Sequence, residues 1–552
     1  MPSRPYENIM NIIAIHQNHD ANIALYWKGK HYALQIEKAG GSRYQGLYGH
    51  RKDLEDQYFA EIDKIIGEGN KFDIFIQPLV SHFIRNKHGR TAQRVLNELK
   101  NRYLKEDGLT KISCTHHMSH AYAAFYTSPY DEAIALTFDG GGDGEYFTIN
   151  HCNRKTGIKQ LSTEWFNLGG WYVAMSRLIE QLSETKISLS LPGKAMGILA
   201  RGKVNVERAK AIKSLSEKDP LFRPSAFAGG RNIVLKNWRA IGHRFEETKK
   251  IFPNGYQYFD DQEAYDHMAD VQWAFEKSVE ERLEKVMKEY PKLPLVLAGG
   301  CALNVLNNEK LKNKYHPRGV YVPACPSDEG LALGYVLNET RPQKPIQHHN
   351  ICPTLRDEKD FDPEFKRKGK KVTNKTICKL LAEGKVIGYV QGPSEYGPRA
   401  LGHRSILCDP YFADMKDRIN KIKHREWWRP FAPACRKEDA HLYFESANFD
   451  NLEYMSFAPM VREDKRDEIP AVVHVDGSSR LQTVTKTSNP KFYKLLSDWE
   501  KYHGKHVLLN TSFNIKGKAI LNTYLEAFEA LTTTELDYLC IENVLYDQKD
   551  FI

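Results

Sequence analysis

Residues 116–145 read HHMSHAYAAFYTSPYDEAIALTFDGGGDGE, and the fold is decided there. The first twelve residues carry apolar positions at helical spacing, whereas EAIALTFD (132–139) is a short apolar run rich in strand formers. A glycine run follows at once, and EYFTIN (145–150) resumes as a strand. Working outward, LPLVLAGG (293–300) repeats the pattern of a strand ending in glycines before a helix. Near the N-terminus, NIIAIHQ, ANIALYW and HYALQIE read as strands, with Gly29 turning the chain between the last two. Helical periodicity marks WYVAMSRLIEQLSE and VQWAFEKSVEERLEKVMKEY. Strands alternating with helices predict an α/β architecture.

The 552 residues carry 79 Lys+Arg against 70 Asp+Glu, a formal charge of +9, with 41% hydrophobic and 27% charged residues. Those proportions describe a folded globular chain and exclude fibrous or disordered classes. No apolar stretch approaches the roughly 20 residues of a membrane helix, and the first residues lack a signal peptide's apolar run. The nine cysteines form no CxxC pair, so neither a disulfide framework nor a zinc ribbon is expected, and a reducing cytoplasm is the expected compartment. Apolar patterning decays between about 341 and 377, where proline and charge dominate. The expected organisation is a large domain over 1–345, a linker over 346–371 and a smaller domain over 372–552.

Four segments carry metal, phosphate or nucleotide chemistry. His116 and His120 stand at i and i+4, so on a helix both imidazoles leave one face, as two ligands of one metal do; the alternative is a capping or core histidine. Asp139 ends a strand before glycines, a position that suits a metal or phosphate and equally a hairpin turn. Asp328 precedes a small-residue helix and reads as a carboxylate ligand or an N-cap. Gly141, Gly142, Gly299 and Gly300 permit close approach of backbone to a nucleotide, and Asn304 offers a hydrogen bond to ribose or base.

In order, HHMSHAYAAFYTSPYDEAIALTFDGGGDGE, LVLAGGCALN and CPSDEGLALG resemble the nodulation-type and antibiotic-tailoring O-carbamoyltransferases. The likeness continues through QGPSEYGPRALGHRSILCDP (391–410), INKIKHREWWRPFAPA (419–434), HVDGSSRLQTV (474–484) and LLNTSFNIKGKAI (508–520). It implies a Kae1-like domain of the actin/Hsp70-kinase superfold followed by a YrdC-like domain. It also implies Fe(II) or another divalent transition metal held by His116, His120 and Asp328, with Asp139 as a further ligand or close neighbour. His19, assisted by Asp20, becomes the expected base for an acceptor hydroxyl; the neighbouring His16 competes for that role. In the second domain, KHR and SFN match that fold's K-x-R and S-x-N signatures. Lys423 and Arg425, expected to alternate along a strand, would join Ser512, Asn514, Arg399, Arg404 and Arg480 around ATP–Mg²⁺ and carbamoyl phosphate. The implied chemistry is formation of carbamoyl-adenylate, then transfer of its carbamoyl group to a hydroxyl.

QIEKAGGSRYQGLYGHRKD (35–53) departs from the family's Glu-Glu-Arg-Phe and Lys-His-Asp pattern, retaining Glu37 and an approximate HRKD. That departure lies on the expected acceptor side. A basic, aromatic run interleaves Arg231, Lys236, Trp238, Arg239 and Arg244, a mixture suited to phosphate contact and base stacking, or simply to a solvated helix face. From it the expected acceptor is a hydroxymethylated pyrimidine in DNA such as 5-hydroxymethylcytosine, ahead of a small-molecule alcohol. tRNA threonylcarbamoylation and a non-catalytic actin-like ATP-binding protein are the remaining readings.

Overall fold

A computed structural model describes residues 10–40, 43–44, 46, 52–79, 87–182, 185, 188–218, 261–347, 351–356, 361–446, 448–515 and 517–551. The run 231–244 lies outside them. The first half contains two five-stranded sheets of one topology. The first is built from β1 (Ile12–His16), β2 (Asn22–Trp27), β3 (Lys30–Gln35), β4 (Phe72–Gln77) and β5 (Leu104–Ile112) in the order β3-β2-β1-β4-β5. The second uses β6 (Glu132–Gly142), β7 (Glu145–Asn153), β8 (Gly157–Glu164), β9 (Leu295–Ala298) and β10 (Val320–Tyr321) in the order β10-β9-β6-β7-β8. Each sheet is an antiparallel three-strand meander whose first strand is extended by two parallel strands. The interior strands β1 and β9 are buried along their whole length, which explains their near-continuous apolar sequence.

Between the sheets lies the helix His116–Thr127, buried from His117 onward except at Met118. Phe125 and Tyr126 on it are fully buried, and side chains of that size contribute on the order of 1.5–3 kcal/mol each. It crosses the helix Leu331–Thr340 at Gly334, where a Cβ would stand 2.2 Å from the carbonyl oxygen of Ser119. That contact, and the Ser119 hydroxyl donating to the Leu331 carbonyl at 2.7 Å, hold the start of one helix beside the start of the other. The stretch WYVAMSRLIEQLSE divides: helix covers Leu168–Ser176 and a 3₁₀ turn covers Glu180–Leu182.

The second half is an eight-stranded mixed sheet. Lys370–Lys371, Val544–Asp547, Tyr538–Ile541, Ile387–Val390, Arg404–Cys408, Leu508–Ser512, Ala432–Arg436 and Gln482–Val484 follow one another across it. The described parts of 346–371, expected as a linker, are packed into both halves. Ala33 donates its N–H to Ile351 at 2.7 Å, Arg356 bonds the Asn522 carbonyl, Phe361 packs on Phe528, and Lys370–Lys371 joins the sheet. The segment has no periodicity to read, but isolated apolar anchors such as Ile351, Cys352 and Phe361 bury it.

The halves meet along the loop 394–399. Lys38 donates to the Glu395 carbonyl, the Gly397 N–H to Gln35 at 3.0 Å, and the Tyr396 hydroxyl to the Glu329 carbonyl at 2.5 Å. These bonds place Arg399 opposite the glycine turns of the first half. Among the described residues no helix is long and apolar enough to cross a membrane.

Candidate active site

The helix that begins at His116 is set by its surroundings. Asp143, in the turn between β6 and β7, accepts the His116 N–H at 3.0 Å, and Asp139 at the strand end accepts from Gly141 N–H at 2.5 Å. Asp328 is drawn in by Asn22, which donates to the carbonyls of both Asp20 and Asp328 and accepts from the Ala332 N–H. Asn22 thereby ties β2 to Asp328 and the start of the helix Leu331–Thr340, a role the sequence alone did not disclose.

The result is a buried cluster in which donor atoms of His116, His120, Asp139 and Asp328 lie within 4.8 Å of one another. Nε2 of His116 stands 2.8 Å from Asp139 Oδ2, 3.1 Å from His120 Nε2 and 3.5 Å from Asp328 Oδ1. Ligands about 2.1 Å from one ion stand about 3.0 Å apart at right angles and about 3.4 Å apart at tetrahedral angles, so these separations match one coordination shell. Two imidazoles with two carboxylates suit a divalent transition metal, and the residues fit such an ion. Burial opposes ionisation of Asp139 and Asp328, yet the surrounding histidines hold both carboxyls below the usual range.

His117, which spacing did not single out, supports the cluster from behind. It is fully buried, with Nε2 3.2 Å from Asp139 Oδ1 and Nδ1 2.7 Å from the Thr137 hydroxyl. Thr137 is 2.7 Å from Thr148, which accepts from the Asn150 amide at 2.9 Å. The carboxylate oxygen calls for a donor at Nε2, which leaves Nδ1 of a neutral ring as acceptor and orients every hydroxyl in the chain one way. Outer partners of this kind govern metal affinity by about 10–100-fold. His117→Ala is therefore expected to weaken divalent-metal binding by that factor, with Thr137→Val acting in the same direction. Competition against a chromophoric chelator measures it, and unchanged affinity in both variants would remove His117 from the site.

The cluster forms the floor at one end of a cavity of about 1080 Å³. His19, Asp20, Gly141, Gly300, Asn304 and Asp328 line it from the first half, and Arg399, Arg425, Arg429 and Asn514 from the second. A smaller cavity of about 140 Å³ shares Glu37, Arg43, Arg399, Arg425, Arg429 and Asn514 with it and adds Arg480, Ser512 and His474. The two adjoin between the halves, with these residues as common walls.

His19 lies against that space, its Nδ1 3.0 Å from Asp20 Oδ2 and its Nε2 3.4 Å from Asp328 Oδ2. Burial lowers its pKa, but the Asp328 and Asp20 carboxylates outweigh that and raise it to about 9, above the near-neutral value expected of a base. His16 lies behind the wall, 2% exposed and 3.4 Å from the Tyr335 hydroxyl, and burial pushes its pKa down to about 3.

At the other end, cations face one another. Burial, then the charges of Arg429, Arg43 and Arg480, hold the Arg425 guanidinium well below its usual value; burial, then Arg399 and Arg429, do the same to Arg480. Arg399 is lowered to about 10, by burial and then by Arg43. Arg43 and Arg429 belong to this group although the sequence reading passed over both. Arg43 comes from the departing 35–53 loop, where Tyr44 N–H bonds Glu37 at 2.9 Å. Such a pocket is built for a polyanion.

Several expected positions differ. Lys423 caps the helix Met415–Ile422 and Arg425 follows a left-handed His424 (φ 48°), so neither is on a strand. The turn still directs both toward Ser512, but Lys423 is consumed by carbonyl oxygens of Ser512 and Asn514, while Arg425 reaches the Ser512 hydroxyl at 3.4 Å. Arg404 is fully buried away from both cavities, its Nη1 on the carbonyls of Gln391, Gly392 and His403. Gly142 and Gly299 serve packing instead of a ligand: a Cβ would meet the His116 ring or the Phe138 carbonyl at 2.3 Å. Asn304 lines the cavity but spends its amide on Gln272 and on capping Asn307. Arg231, Lys236, Trp238, Arg239 and Arg244 lie outside the described residues.

The carbamoyltransferase N-terminus family model matches residues 19–337, and the carbamoyltransferase C-terminus model matches 378–548. The chain belongs to the carbamoyltransferase family. Nodulation protein NolNO of Sinorhizobium fredii is 33% identical over 79% of this chain, which spans 64% of that longer protein. Nodulation protein NolO of Bradyrhizobium diazoefficiens is 32% identical, covering 77% of each. The 3'-hydroxymethylcephem-O-carbamoyltransferase of Streptomyces clavuligerus is 35% identical over 74% of this chain and 75% of its own. Within this carbamoyltransferase, the matched regions contain the four-ligand cluster and all five arginines of the group, and the boundary between the two models falls in 338–377, where the first half gives way to the second.

Proposed function

We propose that this chain is an ATP-dependent O-carbamoyltransferase acting on a hydroxyl of a small-molecule alcohol. The observation that carries the reading is a cavity lined by both the metal-ligand cluster and four arginines, with a fifth, Arg480, lining the adjoining cavity. In this account Arg43, Arg399, Arg425, Arg429 and Arg480, with Ser512 and Asn514, hold the phosphates of ATP–Mg²⁺ and carbamoyl phosphate. The charge repulsion among them is relieved when that anion arrives. Carbamoyl-adenylate forms there, releasing phosphate and pyrophosphate, and stays within the cavity as its carbamoyl end reaches the other wall. Fe(II) or another divalent ion held by His116, His120, Asp139 and Asp328 would supply positive charge to the phosphate of the departing AMP. His19, oriented by Asp20, would take the proton of the acceptor hydroxyl once a metal engages Asp328, the carboxylate that otherwise holds the imidazole protonated.

The acceptor class follows from the relatives, one of which is named for a hydroxymethyl group on a cephem. The DNA acceptor rested on the basic excess of the chain and above all on the 231–244 run, which lies outside the described residues. The test is an incubation with ATP, Mg²⁺, Fe²⁺ and carbamoyl phosphate, offered in parallel to a hydroxymethylcephem and to an oligonucleotide containing hydroxymethylcytosine. Mass spectrometry is expected to find one added carbamoyl group on the small alcohol. Addition to the oligonucleotide alone would reverse the assignment.

A further inference from the structure

The segment HVDGSSR (474–480) supplies Arg480 to the smaller cavity, and that leaves its histidine unexplained. His474 is 8% exposed and lines the same 140 Å³ space as Arg425, Arg480, Ser512 and Asn514. Its Nδ1 lies 3.4 Å from Asp476 Oδ1, while its Nε2 is buried and has no hydrogen-bond partner. A tight turn fixes the pair: the His474 N–H donates to the Ser478 carbonyl at 2.9 Å and the Gly477 N–H to the His474 carbonyl at 2.9 Å, with Gly477 in the left-handed region at φ 82°. Asp476 is held in turn by the Ser478 N–H at 2.9 Å and the Ser478 hydroxyl at 2.6 Å. Burial works against the Asp476 charge, but His474 and Ser478 bring its pKa down to about 2, so the partner of Nδ1 is a carboxylate.

A buried imidazole with one nitrogen turned to a fixed carboxylate and the other left bare is the arrangement of a general base. An orphaned buried nitrogen costs free energy unless something meets it, and here the surrounding wall is a phosphate-binding one. We infer that His474 is a catalytic residue of the donor half-reaction, the base that activates water to cleave carbamoyl phosphate, with Asp476 as its positioning residue. The inference rests on the adenylation reading above. The water oxygen bonds to the carbamoyl carbon as the carbon–oxygen bond to phosphate breaks. One water proton passes to Nε2 and on to the departing phosphate, and carbamic acid yields the other to solvent as carbamate. Arg425 and Arg480 take the charge of the leaving phosphate. The carbamate oxygen is then free to attack the α-phosphorus of ATP, expelling pyrophosphate.

The assignment separates two donors. Wild-type, His474→Gln and Asp476→Asn proteins receive ATP and Mg²⁺ with either carbamoyl phosphate or carbamate, the latter supplied by ammonium bicarbonate, and pyrophosphate is measured. General bases contribute about 10²–10⁴-fold, so H474Q is expected to lose at least about a hundredfold with carbamoyl phosphate. D476N is expected to fall in the same direction. Carbamate bypasses the step and should bring the H474Q rate back toward that of the wild type. Equal losses with both donors, or no loss with carbamoyl phosphate, would overturn the role of His474. A wild-type protein inert to both donors would overturn the adenylation reading instead.

Discussion

Asp139→Ala is expected to abolish carbamoyl transfer while a single turnover of ATP and carbamoyl phosphate still releases pyrophosphate. Asp139 contributes one of the four clustered ligand atoms, receives the Gly141 N–H and stands 3.2 Å from His117 Nε2, so its loss opens the shell and idles the chain behind it. Charge stabilisation by a bound metal is worth several kcal/mol, and at about 1.4 kcal/mol per tenfold the expected loss is about a thousandfold in transfer. Metal affinity falls with it. Equal loss of pyrophosphate release would mean that the two ends of the cavity do not divide the chemistry.

The second large effect belongs to the arginine end. Arg425→Ala is expected to cut pyrophosphate release by about 10²–10³-fold, the usual consequence of removing a preorganised group that stabilises developing negative charge. Stability should move the other way. Arg425 is half-buried among Arg43, Arg429 and Arg480, whose charges all oppose its own. Removing one of several facing cations relieves repulsion that only a bound anion offsets, so the ligand-free variant should melt higher, by about 2 °C per kcal/mol recovered. Calorimetry with and without inorganic phosphate reads this directly: phosphate should stabilise the wild type more than the variant. The two variants also test each other. If the adenylate stays inside the cavity, an equimolar mixture of Asp139→Ala and Arg425→Ala remains inactive in transfer; restored activity would show release into solvent.

Much of this site could be read along the chain because its pieces are local. The i, i+4 histidines and the strand-end Asp139 lie within one helix–turn–strand unit, and the apolar runs around them left little choice of element. Asp328 is some two hundred residues away, so its arrival beside His116 depends on the Gly334 crossing and the Asn22 bridge, which no periodicity announces. Resemblance supplied that part. Arg43 and Arg429 lay in irregular segments, GSRYQ and EWWRPF, where an arginine reads as surface charge until the two halves close on it. His117 was hidden by its neighbours: in an HH doublet the metal spacing claims one ring and leaves the other looking incidental. Lys423 and Arg425 were misplaced on a strand because alternate spacing is also produced by a helix end followed by one left-handed residue. The packed stretch after residue 345 was lost to composition, since scattered single anchors leave no pattern.

The most direct measurement of the central claim is stoichiometry. The protein, loaded with Fe²⁺, is given ATP, Mg²⁺, carbamoyl phosphate and a hydroxymethylated small alcohol, and AMP, pyrophosphate and the carbamoylated alcohol are counted together. One cavity doing both steps predicts one AMP and one pyrophosphate for each carbamate ester formed, with no product when ATP is withheld. Product formed without ATP, or ATP consumed to ADP, would contradict it.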